Sequence, residues 1–131
     1  RLAVFDDRRE ALDPKQFPEG VRLIQGDFGR ISLPLTQADS VVVMTAGHRG
    51  DLAILEQVLP EPVAYIGCIG SRKKAAAARK ILKEKGFTES DIKRIHSPIG
   101  LPIGGETPAE IAVSVAAELI AHRAGKEFRH G

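Results

Sequence analysis

Short apolar runs separated by polar stretches set the rhythm of this chain. Leu2 to Phe5, Val21 to Ile24, Ser40 to Thr45 and Val63 to Ile66 each have the length and β-branched content of a strand. The run Ser-Val-Val-Val-Met-Thr at 40–45 is apolar on both faces, as in a strand buried inside a parallel sheet. Between the runs the period lengthens. Leu52, Leu55, Val58 and Leu59 share one helical face, with Asp51 placed as a cap and Pro60 and Pro62 as the stop. Ser71 caps a second, basic helix that Gly86 ends, and Thr88 to Asp91 reads as a short capped turn. Residues 9–20 read as a loop with one helical turn, and Ile95 as the start of a small strand. Ser97 to Gly105 is a Pro/Gly loop.

The last element carries the plainest start signal. Thr107-Pro108-Ala109-Glu110 combines a capping box with proline at the first helical position. Ile111, Ala112, Val115, Ala116, Leu119 and Ile120 are expected to face the core. Glu110, Ser114, Glu118 and His122 are expected to face water. Gly125 ends the helix, and residues 126–131 read as a frayed tail. Strands alternating with helices predict a three-layer α/β domain with right-handed crossovers. Its ligand is expected beyond the carboxyl ends of the strands. The loops after the strands (Asp6-Asp7, Thr45 to Asp51, Gly67 to Lys74, Ser97 to Thr107) should then gather along one edge.

Composition narrows the class. The 131 residues fit a single domain, 43% hydrophobic and 27% charged. A net charge of +2, no Trp and one Tyr argue against nucleic-acid binding by bulk charge or by aromatic stacking. No apolar run approaches the roughly 20 residues of a membrane span. The lone Cys68 excludes an internal disulfide and suits a reducing, cytoplasmic setting. Cys68 reads as a small buried hydrophobe.

The candidate chemistry centres on Tyr65 to Lys74. An apolar strand ends at Gly67. Gly70 and Ser71 turn the chain, and Arg72, Lys73 and Lys74 open a helix. A helix N-terminus already carries partial positive charge, so added cations suit a phosphate or carboxylate ligand. Arg72 and Lys73 are the expected anion contacts, and Arg79, Lys80, Lys83 and Lys85 an expected solvated face. Gly100, Gly104 and Gly105 would let backbone approach a ligand, or simply make a sharp turn. His48 follows a strand in a glycine-flanked loop. Thr107 opens a second helix start. No nucleophile–base arrangement stands out, so the chain reads as a binding protein more readily than as an enzyme.

Tyr65-Ile-Gly-Cys-Ile-Gly-Ser-Arg-Lys-Lys74 and Ser97-Pro-Ile-Gly-Leu-Pro-Ile-Gly-Gly-Glu-Thr-Pro-Ala-Glu-Ile-Ala-Val-Ser-Val-Ala-Ala-Glu-Leu119 resemble the C-terminal Rossmann-type domain of the XdhC/CoxI family. The resemblance covers about Leu2 to Ala121. These are xanthine dehydrogenase accessory proteins. It implies a mostly parallel sheet with helices on both faces, here lacking the glycine-rich first βα unit. It implies binding of the molybdenum cofactor (molybdopterin), and help in its sulfuration and insertion into a molybdenum hydroxylase such as xanthine dehydrogenase. A cysteine desulfurase is a further implied partner. The implied cofactor contacts are Asp6, His48, Gly67, Gly70, Ser71, Arg72, Lys73, Gly100, Gly104 and Thr107. Where the family pattern runs Thr-His-x-His, this chain has Thr45-Ala46-Gly47-His48. Asp6 stands where an acidic residue meets a ribose hydroxyl in dinucleotide-binding folds, so an NAD(P)-binding oxidoreductase or its remnant is the alternative. An open first strand would favour a homo-oligomer, or a partner that supplies the absent strand.

Overall fold

The computed structural model describes residues 1–126. The expected tail therefore lies outside the described residues except for Lys126. Among the described residues five strands form: β1 (Ala3–Asp6), β2 (Arg22–Gln25), β3 (Ser40–Val43), β4 (Tyr65–Cys68) and β5 (Ile95–His96). Four α-helices accompany them: α1 (His48–Val58), α2 (Arg72–Glu84), α3 (Glu89–Lys93) and α4 (Pro108–Arg123). Two short 3₁₀ turns, Arg9–Leu12 and Pro14–Gln16, fill the loop after β1.

Every strand pairing is parallel, and the strands fall into two sheets. β1 pairs with β2, and β4 lies between β3 and β5. Among the described residues no ladder joins β1 to β3, so each keeps an edge without a neighbouring strand. β4 is the innermost strand, with all four residues buried. Its side chains alternate between faces, as the pleat requires. Ile66 and Cys68 join the main core with Val43, Ile54, Leu55, Val58, Leu59 and Leu82, on the side covered by α1 and α2. Tyr65 points the other way and packs with Ile99 and Val115 against α4. Helices thus lie on both faces, as expected.

Two local expectations are corrected. α1 begins at His48 with Gly47 at its N-cap, so Asp51 sits inside the first turn and caps nothing. Its carboxylate is turned back to Thr45 instead. α4 keeps its Thr107–Glu110 capping box but is rotated from the expected phase. It buries Ser114, Val115 and Glu118, while Val113 and Ile120 are 60% and 56% exposed. The polar side turns inward because it has partners there. Tyr65 donates its hydroxyl proton to Glu118 Oε1 at 2.6 Å. Gly100, at φ +100°, brings its backbone against Ser114.

Candidate functional site at the carboxyl edge of the sheet

Three strands of the larger sheet end at one cavity of about 250 Å³. Thr45, Gly47, His48 and Asp51 form one wall, after β3. Cys68, Ile69 and Gly70 form the floor, after β4. Lys74, Ala75 and Ala78 of α2 line the side, and Ser97 closes the end of β5. Local hydrogen bonds fix each piece. The Ile69 N–H donates to Val43 O at 2.9 Å, extending the β3–β4 ladder by one step. The Ser97 hydroxyl donates to Cys68 O at 3.0 Å. Arg79 donates to the carbonyls of Ile95 and Ser97 at 3.2 and 2.9 Å, which ties α2 to the end of β5. Arg79 is therefore a brace and not part of a solvated face, and Lys83 pairs with Glu89 at 2.7 Å.

The two helices that start here shape the electrostatics. α1 opens at His48 and α2 at Arg72, and a helix start presents N–H groups without intrahelical acceptors. Ser71 caps α2 by accepting the Lys74 N–H at 3.1 Å. On the β3 side Asp51 Oδ1 accepts from Thr45 twice, from its N–H at 3.0 Å and its hydroxyl at 2.7 Å. Gly50 makes this clamp fit, because a Cβ there would lie 2.8 Å from Thr45 Oγ1. Burial pushes the Cys68 thiol up to about 12, with Asp51 adding to the shift. The thiol is thus protonated at neutral pH and is poorly suited to attack or ligation.

A second cavity of about 250 Å³ shares the Thr45–Gly47 wall and reaches Asp6, Arg8 and Phe28. Asp6 Oδ1 accepts from the Arg8 N–H at 2.9 Å, and the Arg8 guanidinium reaches both carboxylate oxygens at 3.3 Å. These side-chain hydrogen bonds hold the Asp6 carboxyl below its ordinary range.

Of the residues singled out in the sequence, His48 and Gly70 line the first cavity and Asp6 the second. Ser71, Arg72 and Lys73 stand at the start of α2, but the cation in the lining is Lys74. Gly67, Gly100, Gly104 and Thr107 line neither cavity. A Cβ on Gly67 would lie 2.5 Å from Ile99 Cδ1 and Tyr65 Oη, so close packing accounts for that glycine. Gly100 is accounted for by Ser114. Gly104, at φ +81°, has open space around it. Thr107 serves as the α4 N-cap. Sequence reasoning missed Thr45, Asp51, Lys74 and Ser97. The spacing of Lys74, Ala75 and Ala78 on one helical face was the available signal.

His96 and His122 lie away from both cavities, against Tyr65. The His96 ring stacks on Tyr65 at 4.8 Å, and His122 meets it edge-on at 5.3 Å while its Nε2 lies 2.8 Å from Ala64 O. Among the described residues, no three His, Cys, Asp or Glu side chains gather to hold a metal ion. No helix there is long and apolar enough to cross a membrane.

Parallel strands, helices on both faces and a cavity at the carboxyl ends define a Rossmann-type domain. The chain belongs to the XdhC Rossmann-domain family, whose model matches residues 1–119. It is 38% identical over 120 residues to YqeB, an uncharacterised protein of Escherichia coli (strain K12), covering 91% of this chain and 22% of that one. It is also 38% identical over 85 residues to a probable xanthine dehydrogenase component of Bacillus subtilis (strain 168), covering 65% of this chain and 24% of the relative. A crystal structure described as a xanthine dehydrogenase from Bacillus halodurans superposes with a TM-score of 0.77 at 27% identity. That match covers 98% of this chain and 37% of the other. The chain thus spans about a quarter of the curated relatives it matches.

Proposed function

We propose that this domain belongs to an accessory protein of a xanthine dehydrogenase-type molybdenum hydroxylase, and that its first cavity takes the molybdenum cofactor by the phosphate. The observation that carries this reading is the meeting of two helix N-termini and Lys74 at one cavity beyond the ends of β3, β4 and β5. The names of two relatives support the choice of client. The cofactor fits the donors present: its phosphate suits the helix starts and Lys74, and the small side chains beside them leave room for an adjoining ring. When bound, the cofactor would supply the molybdenum centre that the client enzyme uses. Sulfur for its sulfuration would come from a partner such as a cysteine desulfurase, because the buried, protonated Cys68 thiol is a poor carrier. The open edges of β1 and β3 support a further strand supplied by a longer polypeptide or by a second copy of the chain. This role places the domain in the cytoplasm.

Titration of the purified domain with isolated molybdenum cofactor tests the reading. We expect saturable binding that weakens about tenfold or more in Lys74→Ala, the scale of one charge-assisted contact. Absence of binding by the wild-type domain would overturn it.

A second reading, an NAD(P)-binding oxidoreductase or its remnant, rests on Asp6 in a cavity that shares a wall with the first. The Arg8 contacts on Asp6 oppose it, because a ribose hydroxyl would have to displace them. An unchanged melting temperature in millimolar NAD(H) and NADP(H) would dispose of this alternative.

A further inference from the structure

Away from both cavities, a buried carboxylate faces the imidazole of His96, with a second imidazole beside it. Glu118 of α4 is 5% exposed, and a carboxylate is costly to bury unless partners compensate. The Tyr65 hydroxyl is one partner, at 2.6 Å from Glu118 Oε1. His96 Nδ1 lies 3.8 Å from the same oxygen. That gap is about 1 Å longer than a charge-assisted hydrogen bond, so a small movement of the ring closes it. The His96 side chain is 32% exposed, which gives protons from solvent a way in. Its ring stacks on Tyr65, and the ring centroid of His122 lies 5.5 Å from that of His96. Charging both imidazoles would set two cations side by side, which Coulomb repulsion opposes. Glu118 faces His96 and favours the proton there. The other elements packed against β5 have their charges engaged elsewhere or in solvent. α2 contributes Arg79, held on the Ile95 and Ser97 carbonyls. α3 contributes Glu89, paired with Lys83, Asp91 in the Thr88 capping box, and the exposed Lys93.

Position gives the pair a mechanical role. His96 ends β5, Glu118 lies within α4, and residues 97–107 join the two elements. The Ile99 N–H donates to Cys68 O and the Leu101 N–H to Ser114 O, each at 3.1 Å, so this segment is held to both sheet and helix. Ser97, at its start, lines the first cavity. We infer that Tyr65, His96, Glu118 and His122 form a one-proton latch: protonated His96 pairs with Glu118 and ties the end of β5 to α4, and loss of the proton releases that tie. The latch operates whatever ligand the cavities take.

The test is a set of pH titrations of the protein and two variants. By NMR, the His96 ring should titrate about one unit above an ordinary histidine, and Glu118→Gln, which keeps an oxygen for the Tyr65 hydroxyl, should remove that difference. A histidine with a raised folded pKa stabilises the fold below its unfolded pKa and ceases to do so as pH climbs through the folded one. One unit is a tenfold gain in the folding constant, most of it between pH 8 and pH 6. Relative to His96→Gln, wild type should therefore gain roughly 3–5 °C in Tm over that interval. The Ile99 and Leu101 amides, corrected for intrinsic exchange rate, should be better protected below the His96 midpoint than above it. Ring stacking alone would produce none of these effects. A His96 midpoint that Glu118→Gln leaves unmoved overturns the inference. So do parallel Tm profiles for wild type and His96→Gln, or amide protection that ignores the His96 midpoint. If Glu118→Gln does not fold, the wild-type and His96→Gln measurements decide alone.

Discussion

Removing one oxygen atom, in Tyr65→Phe, should destabilise this domain substantially. Tyr65 is 1% exposed and Glu118 5% exposed, and their hydrogen bond measures 2.6 Å. A bond of that length to a carboxylate is of the charge-assisted kind. Its loss costs roughly 1.5–3 kcal/mol, the scale of a hydrogen bond to a charged group. His96 Nδ1, at 3.8 Å from Glu118 Oε1, is too far to replace the phenol without movement. For a 131-residue chain the entropy of unfolding is roughly 0.28 kcal/mol/K. The melting temperature should therefore fall by roughly 5–11 °C, read by circular dichroism. A double-mutant cycle with Glu118→Gln isolates the pair, and its coupling energy should exceed about 1 kcal/mol. The alkaline limb gives a second readout. Burial first, and Glu118 second, raise the Tyr65 ionisation well above its ordinary position. A group whose folded pKa is raised contributes stability below its unfolded pKa and loses it as pH climbs further. Wild type should lose stability above about pH 10, with a smaller slope in the Phe variant. A melting shift below about 1 °C with no coupling would refute the reasoning, since it would mean that the buried contact contributes nothing net.

Further outcomes follow at four other positions. Gly100→Ala should cost about 2–3 kcal/mol by chemical denaturation, since φ is +100° and the new Cβ would run into Ser114 Oγ. Gly104→Ala, at φ +81° in open space, should cost only the backbone strain, about 1 kcal/mol; equal losses at the two sites would remove the packing explanation. The Cys68 thiol, pushed up to about 12, binds its proton in the folded state after the unfolded chain has released it near 9.0. Stability should decline across that window and less so in Cys68→Ser, and native Cys68 should react slowly with Ellman's reagent at pH 8; rapid labelling would contradict its burial. Arg8→Ala should let the Asp6 pKa rise toward the ordinary carboxylate value, read by NMR titration of the carboxyl carbon, and an unmoved value would deny Arg8 its role.

Local signals proved legible in the sequence, and long-range ones less so. The capping boxes at Thr88 and Thr107 lie within four residues of the helix starts that they define; α4 begins as read, and the capped turn read at Thr88 to Asp91 opens α3. β-branched runs placed the strands for the same reason. Asp51 misled because its acceptor is taken by Thr45, outside the helix, and a cap-like residue then sits one turn inside. The phase of α4 misled because Glu118 and Tyr65 are 53 residues apart. A rule that turns apolar residues inward cannot register a phenol waiting on the facing strand. At α2 the three cations were plain, but successive residues turn by about 100°. Only the packing of Ala75 against the core decides that Lys74 lines the cavity.

The same packing separates two surfaces of the domain. The Thr45–Asp51 wall, Cys68 and the Ala75–Ala78 face put the cavity on the α1–α2 side of the larger sheet. Met44 lies one residue beyond Val43, so alternation directs it to the α4 side, where it is 58% exposed. Val113 and Ile120 face outward from α4 on that side too, and among the described residues β1 and β3 each keep an unpaired edge. An exposed apolar helix face and unpaired strand edges are costly for a chain alone in water. That cost falls once they are covered. The apolar positions of α4 and the unpaired strand edges are thus the surfaces that gain most from being covered.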